Sequence, residues 1–197
     1  MNLLIVLPVL VPLLTAVVLL LLRSSVRAQH FVSVAGSVAM LSAAIMLLLQ
    51  VRDEGIAVVQ LGSWPAPFGI SFVADLFSTL MVLLAGVIGV VIALYSIVAV
   101  DPSRNRFGYH PLLHILLMGV NGAFLTGDMF NLYVWFEVML IASFVLIVLG
   151  GERAQFVGAV KYVTVNLLAS MLFLIGAGLL YGKTGTLNFA DLAFKLS

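Results

Sequence analysis

The chain has 197 residues, 63% of them apolar and only 9% charged, with a formal net charge of +1. A soluble domain is about 45–50% apolar and about 25% charged, so a water-soluble fold could not bury this excess. Near-neutral charge without a Lys/Arg-rich run excludes a nucleic-acid partner, and the absence of cysteine excludes disulfides, thiolate metal sites and Fe–S ligation.

A membrane-crossing helix needs about 20 mostly apolar residues. Taken in order, such spans are expected over 3–22, 31–50, 72–100, 110–127, 129–149 and 156–181. The chain therefore reads as an all-α polytopic membrane protein of about six transmembrane helices in a single transmembrane domain, 1–197. The first span has no basic segment before it, and its apolar run is longer than the 7–15 residues of a signal peptide, so it reads as a helix that stays. Pro8 and Pro12 lie inside it and are tolerated if neighbouring helices satisfy the freed carbonyls. Between the second and third spans, the alternation Ile56-Ala57-Val58-Val59-Gln60 followed by Trp64-Pro65-Ala66-Pro67-Phe68-Gly69 predicts a small β-hairpin on the membrane surface. The tail from Gly182 to Ser197 is too polar to span.

Basic residues in the loops set an expected orientation. With the N-terminus outside, the cytoplasmic loops carry Arg23, Arg27, Arg104, Arg106 and Arg153, against Arg52, Lys183 and Lys195 on the other side.

Two ionisable residues lie well inside apolar runs. Charge at mid-membrane costs about 2.5–3.5 kcal/mol or more, so function is the default hypothesis for each. Glu137 is flanked by Tyr133-Val134-Trp135-Phe136 and Val138-Met139-Leu140-Ile141. Hydrocarbon disfavours an ionised carboxylate and a nearby ammonium favours it, so a carboxyl between the two can take up and release a proton. The competing reading is a Glu that only fixes helix packing. Lys161 lies five residues into the sixth span, with Thr164, Asn166 and Ser170 nearby on the same helix. It either snorkels to the headgroups or belongs to a hydrated seam. Its backbone differs in depth from that of Glu137 by about 9–11 Å, which argues against a direct ion pair and for coupling through water or through a lysine outside this chain.

The fourth span carries His110, His114 and Asn121 near one face. An imidazole titrates near neutrality, so His114 is a candidate to pass protons inward, while His110 also fits a plain interfacial role. The His-x₃-His spacing has no acidic ligand beside it, and no metal is expected. Asp75 and Asp128 precede spans, where helix capping is the simpler role; Asp75 with Ser71 and Ser78 is also placed to line an entrance. Gly86, Gly89, Gly176 and Gly178 suit close helix packing. No phosphate loop, dinucleotide fingerprint or nucleophilic triad is present, so neither an enzyme nor a cofactor is expected.

Several stretches resemble a known family: Leu61-Gly62-Ser63-Trp64-Pro65-Ala66-Pro67-Phe68-Gly69-Ile70, Phe72-Val73-Ala74-Asp75-Leu76, Asn131-Leu132-Tyr133-Val134-Trp135-Phe136-Glu137-Val138-Met139-Leu140, Lys161-Tyr162, and Tyr181-Gly182-Lys183-Thr184-Gly185-Thr186-Leu187-Asn188. Across its length the chain resembles the N-terminal part of the D-type membrane component of Mrp-type multisubunit Na+/H+ antiporters, relatives of the antiporter-like membrane subunits of respiratory complex I and membrane-bound hydrogenases. The resemblance implies the N-terminal part of a fourteen-helix antiporter-like fold with two inverted five-helix repeats. It also implies that Glu137 matches the essential glutamate of the fifth spanning helix and that Lys161 matches a lysine common on the sixth. The paired lysine of the seventh spanning helix and the second repeat lie beyond this sequence, which reads as a fragment, a truncated product or a split subunit.

Three functions follow as expectations. The first is a membrane subunit of a monovalent cation (Na+)/proton antiporter in the bacterial cell membrane, partnered by lipid and other membrane subunits. The second is a proton-pumping membrane subunit of an NADH:quinone oxidoreductase or membrane-bound hydrogenase, with redox cofactors in partner subunits. The third is an inactive scaffold.

Overall fold

The computed structural model describes residues 3–64, 66 and 68–197; Pro65 and Pro67, where the sequence places a turn, lie outside the described residues. In chain order the elements are α1 (Leu3–Leu21), α2 (Val26–Glu54), β1 (Ala57–Gln60), β2 (Ser71–Ala74), α3 (Leu76–Ala99), α4 (Pro102–Arg106), α5 (Tyr109–Leu125), α6 (Met129–Val148), α7 (Arg153–Thr184) and α8 (Phe189–Leu196). Five helices, α1, α2, α3, α6 and α7, are long and apolar enough to cross a membrane, and the apolar α5 falls just short at 17 residues. With the hairpin, this is the all-α membrane architecture expected from sequence.

Local chemistry starts and stops these helices. Ser25 caps α2 by accepting a hydrogen bond from Ala28 N at 3.4 Å. That cap lets α2 begin at Val26, five residues before the apolar run that predicts it from 31. The added turn brings in Gln29, whose Nε2 donates to Leu22 O and Arg23 O at 3.4 and 3.2 Å, satisfying carbonyls left over at the end of α1. Asp75 and Ser78 form a capping box, with Ser78 N donating to Asp75 Oδ1 at 2.7 Å. The helix therefore starts at Leu76, and Phe72-Val73-Ala74, expected as its first turn, forms a strand instead. Asp128 caps α6 in the same way, accepting from Asn131 N at 2.8 Å. Such a cap is worth about 1 kcal/mol. Gly185 ends α7 in the left-handed region, φ 71°, its N–H bonded to Tyr181 O.

Helices α1, α2, α3 and α5 pack into a bundle; α6 lies against α5, and α7 lies against α6. The hairpin pairs antiparallel with Ala57 opposite Ala74 and Val59 opposite Phe72. It is more than a surface feature: Val59, Phe72 and Ala74 are buried with Ile5, Val9, Leu47, Val51, Val82 and Leu125, so the hairpin closes one end of the bundle. Its backbone also holds neighbouring loops. Gly127 N donates to Ser71 O, Phe189 N to Gly127 O and Met129 N to Leu187 O, all at 2.8–2.9 Å.

One proline of α1 is compensated from outside the helix. Pro12 has no N–H to give to the carbonyl of Pro8, and Asn121 Nδ2 of α5 donates to Pro8 O at 2.8 Å. Close packing elsewhere relies on small residues. A Cβ at Gly86 would come within 3.2 Å of Leu41 Cα, and one at Gly89 within 3.0 Å of Met40 Cε. Gly176 and Gly178 have nothing beside them; the main helical neighbour of α7 is α6.

Candidate functional site

Glu137 sits near the middle of α6, about 12 Å along the axis from Met129. The face of α6 that meets α5 is defined by Trp135 and Met139, which lie against Gly122 and Gly119. Glu137 is about 200° around the helix from Trp135, on a different face. It shares that face with Phe130, Val134 and Ile141, which are 50%, 39% and 60% exposed. Glu137 Oε1 is itself shielded and has no hydrogen-bond partner. Among the described residues the ion pairs are Arg104–Asp101 and Lys195–Asp191, so no basic side chain of this chain engages Glu137.

The polar residues of α7 divide between two faces. Asn166 and Ser170 line an open cleft of about 420 Å³ between α6 and α7, with Tyr162 on the α7 side and Tyr133 and Ser143 opposite. Lys161 and Thr164 are exposed, and Lys161 is about 140–180° around the helix from Asn166 and Ser170. The single seam read from sequence is thus two surfaces. Thr164 Oγ1 donates to Val160 O and Asn166 Nδ2 to Tyr162 O, both at 2.8 Å, so each partly satisfies itself on its own helix.

The stripe on α5 faces inward. His110, His114 and Asn121 are all fully buried. Both histidines meet Ser33 of α2: His110 Nδ1 is 3.1 Å from Ser33 Oγ, and His114 Nε2 is 3.2 Å from both Ser33 Oγ and Ser33 O. His30 stands edge-on to His110, centroids 5.1 Å apart, and Asn105 Nδ2 is 3.2 Å from His30 Nε2. Asn121 Nδ2 is committed to Pro8 O and Met40 Sδ. Sequence reading missed the α2 side of this arrangement. Gln29, Ser33 and Ser37 recur every four residues, which is the available signal for a polar stripe.

Asp75 performs its capping role and also borders a cleft of about 400 Å³ with Ser78, Thr126 and Asn188. Among the described residues there is no cluster of three or more His, Asp or Glu side chains suited to a metal ion.

The helical stack and the hairpin plug form an antiporter-like membrane subunit fold, and the comparisons agree. Residues 126–196 match the family described as NADH:quinone oxidoreductase/Mrp antiporter, TM. Over its whole length the chain is similar to the D component of the Na(+)/H(+) antiporter of Alkalihalophilus pseudofirmus, 48% identical over 196 residues, and to that of Bacillus subtilis, 45% identical over 197 residues. It spans 40% of the length of each. Among solved structures, the Mrp complex from Dietzia sp. superposes with a TM-score of 0.87 at 35% identity, covering 99% of this chain and 39% of that one. A chain of the membrane-bound sulfane sulfur reductase, an archaeal respiratory membrane complex, superposes with a TM-score of 0.90 at 29% identity, covering 96% and 39%. The resemblance to the D-type component of Mrp antiporters read from the motifs therefore holds.

Proposed function

We propose that this chain contributes a proton path to a multisubunit antiporter that exchanges protons for a monovalent cation such as Na+ across the bacterial cell membrane. The observation that carries the reading is Glu137: an ionisable group in the middle of an apolar helix, with one carboxylate oxygen shielded and unpartnered. A buried polar group in hydrocarbon is costly without a partner. Its face of α6 is uncovered in this chain, so the partner that would tune its proton affinity belongs to another helix or subunit. Lys161, exposed on α7, is placed to interact outside the chain or to reach the headgroups. His114, His110, Asn121, Asn166, Ser170, Thr164 and Asp75 are the further polar residues of the proposed path. An outside N-terminus is supported by the basic loops and by Arg23 Nη2 donating to Arg106 O at 3.3 Å, which gathers two arginine-bearing loops at one end.

The test is Glu137→Gln in the assembled transporter, with cation-driven proton flux measured in vesicles. Flux lost with assembly intact supports the role; normal flux removes Glu137 from the mechanism.

The second reading, a proton-pumping subunit of a redox complex, is favoured by one observation, the TM-score of 0.90 with the respiratory reductase chain. The higher identity to the Na(+)/H(+) antiporter chains favours the antiporter. Flavin or Fe–S proteins co-purifying with the complex would reverse that order.

A further inference from the structure

We propose that the Ser33 hydroxyl of α2 relays protons between His110 and His114, forming a buried segment in series with Glu137 on the proposed path but off the face of α6 that carries it. The inference rests on the transporter reading but assigns it a residue and a direction of hydrogen bonding.

The backbone fixes the polarity. A carbonyl oxygen only accepts, so the nitrogen 3.2 Å from Ser33 O carries a hydrogen. His114 is therefore the Nε2–H tautomer, donating to Ser33 O and Ser33 Oγ. Ser33 Oγ then directs its own hydrogen to His110 Nδ1, 3.1 Å away, and His110 carries its hydrogen on Nε2. Two ends remain open. His114 Nδ1 is an acceptor and His110 Nε2 a donor, and neither has a protein partner although both rings are fully buried.

The remaining unpartnered atoms extend the same line. Asn105 Oδ1 and Gln29 Oε1 are acceptors on the side of the α4 loop, where His110 offers a donor. Ser37 Oγ lies one turn deeper on α2 and Asn121 Oδ1 two turns beyond His114 on α5. Buried polar atoms are rarely left unbonded, and water is the partner that fits such sites. Among the described residues, five of the nine buried side-chain atoms without a partner lie on α2 or α5 along this line, and Asn105 Oδ1 of α4 adjoins its loop end.

Transfer is balanced at every step. A proton arrives from water at His114 Nδ1, giving an imidazolium. Its Nε2–H passes to Ser33 Oγ, the Ser33 hydrogen passes to His110 Nδ1, and His110 releases its Nε2–H to water. One proton enters, one leaves, and both rings end as Nδ1–H tautomers. That end state turns the His114 Nε2 lone pair toward Ser33 O, so the triad resets by reorientation or reverse transfer. The ionisable neighbours are His30 on α2, Tyr109 beside His110, and Arg23 and Arg106 at the loop end. No Asp, Glu, Lys or Arg is buried along this line among the described residues, so no fixed charge blocks or traps the proton.

The test uses the full assembled transporter with ¹⁵N-labelled histidine. NMR is expected to place hydrogens on Nε2 of both His110 and His114; an Nδ1–H resting form of either overturns the relay. Ser33→Ala is expected to shift the His110 Nδ1 signal and to lower proton flux about a hundredfold, whereas Ser33→Thr keeps the hydroxyl and retains flux. Flux within twofold of normal in Ser33→Ala overturns the proposal. Should Ser33→Ala not assemble, the tautomers of the unsubstituted protein still decide. Glu137→Gln separates the two readings: it should abolish flux without moving the histidine signals. A dead Glu137→Gln with an active Ser33→Ala sinks only the relay, and the opposite pattern sinks only the role of Glu137.

Discussion

Gly122 of α5 lies directly against the indole of Trp135 on α6, so that a Cβ at position 122 would fall within the ring system. The contact sets the distance between the two helices and the rotation of α6, and with it the direction in which Glu137 points.

Replacing Gly122 with Val should therefore cost about 1–3 kcal/mol through overpacking. The expected outcome is a lower Tm for the assembled protein in detergent. Gly158→Ala, inside α7 with open space around it, serves as the control and should not lower Tm, since Ala is the better helix former. Equal Tm values for the two variants would mean that α6 can move away from α5 without loss.

The clasp between Asn121 and the Pro8 carbonyl makes a second prediction. Asn121→Ala leaves that carbonyl without a donor and should destabilise by about 1–2 kcal/mol. Pro12→Ala restores the missing helical N–H, so the same Asn121→Ala change should cost less in that background. A double-mutant cycle on unfolding free energy measures the coupling. Strict additivity would rule the clasp out.

A third prediction concerns α8, outside the spanning segments. The Lys195 ammonium, 3.1 Å from Asp191, holds the Asp191 carboxyl below the ordinary carboxylate range, and Thr186 adds a further hydrogen bond. A depressed folded value means that the contribution is fully present above the unfolded value of about 3.9 and is lost as pH falls through the folded one. The amide-exchange protection factors over residues 186–196, with the intrinsic pH dependence of exchange divided out, should therefore be unchanged between about pH 5 and 8 and should fall as the pH drops below about 3.9. Asp191→Asn should remove that pH dependence.

Much of this architecture was legible in the apolar runs, because a long apolar segment has few alternatives in a chain with so little charge. The errors sit where local polarity overrode hydropathy. Val26–His30 looked like loop because Arg27, Gln29 and His30 lower the local hydropathy, yet Ser25 caps the helix and Gln29 is turned inward. Phe72–Ala74 looked like helix because it abuts an apolar helix, and a short apolar run does not reveal its period. Glu137 stood out because a carboxyl surrounded by hydrocarbon is rare. Ser33 did not, because one hydroxyl in an apolar helix is unremarkable until its partners, 77 and 81 residues away, are placed beside it. The division of the α7 polar residues was also hidden, since proximity in sequence says little about faces separated by half a helical turn.

The backbone pairing that joins β2, the Gly127 connection and the segment before α8 also restricts how this assembly can move. Tying one end of α6 into a stitched collar leaves tilting as its softest motion, with the fulcrum at the collar. Over 20 residues the helix is about 30 Å long, and a tilt of about five degrees displaces its far end by roughly 3 Å and its midpoint by about half of that. A carboxyl carried at the midpoint would thus travel on a short arc of about 1.5 Å while the anchored rim stays still.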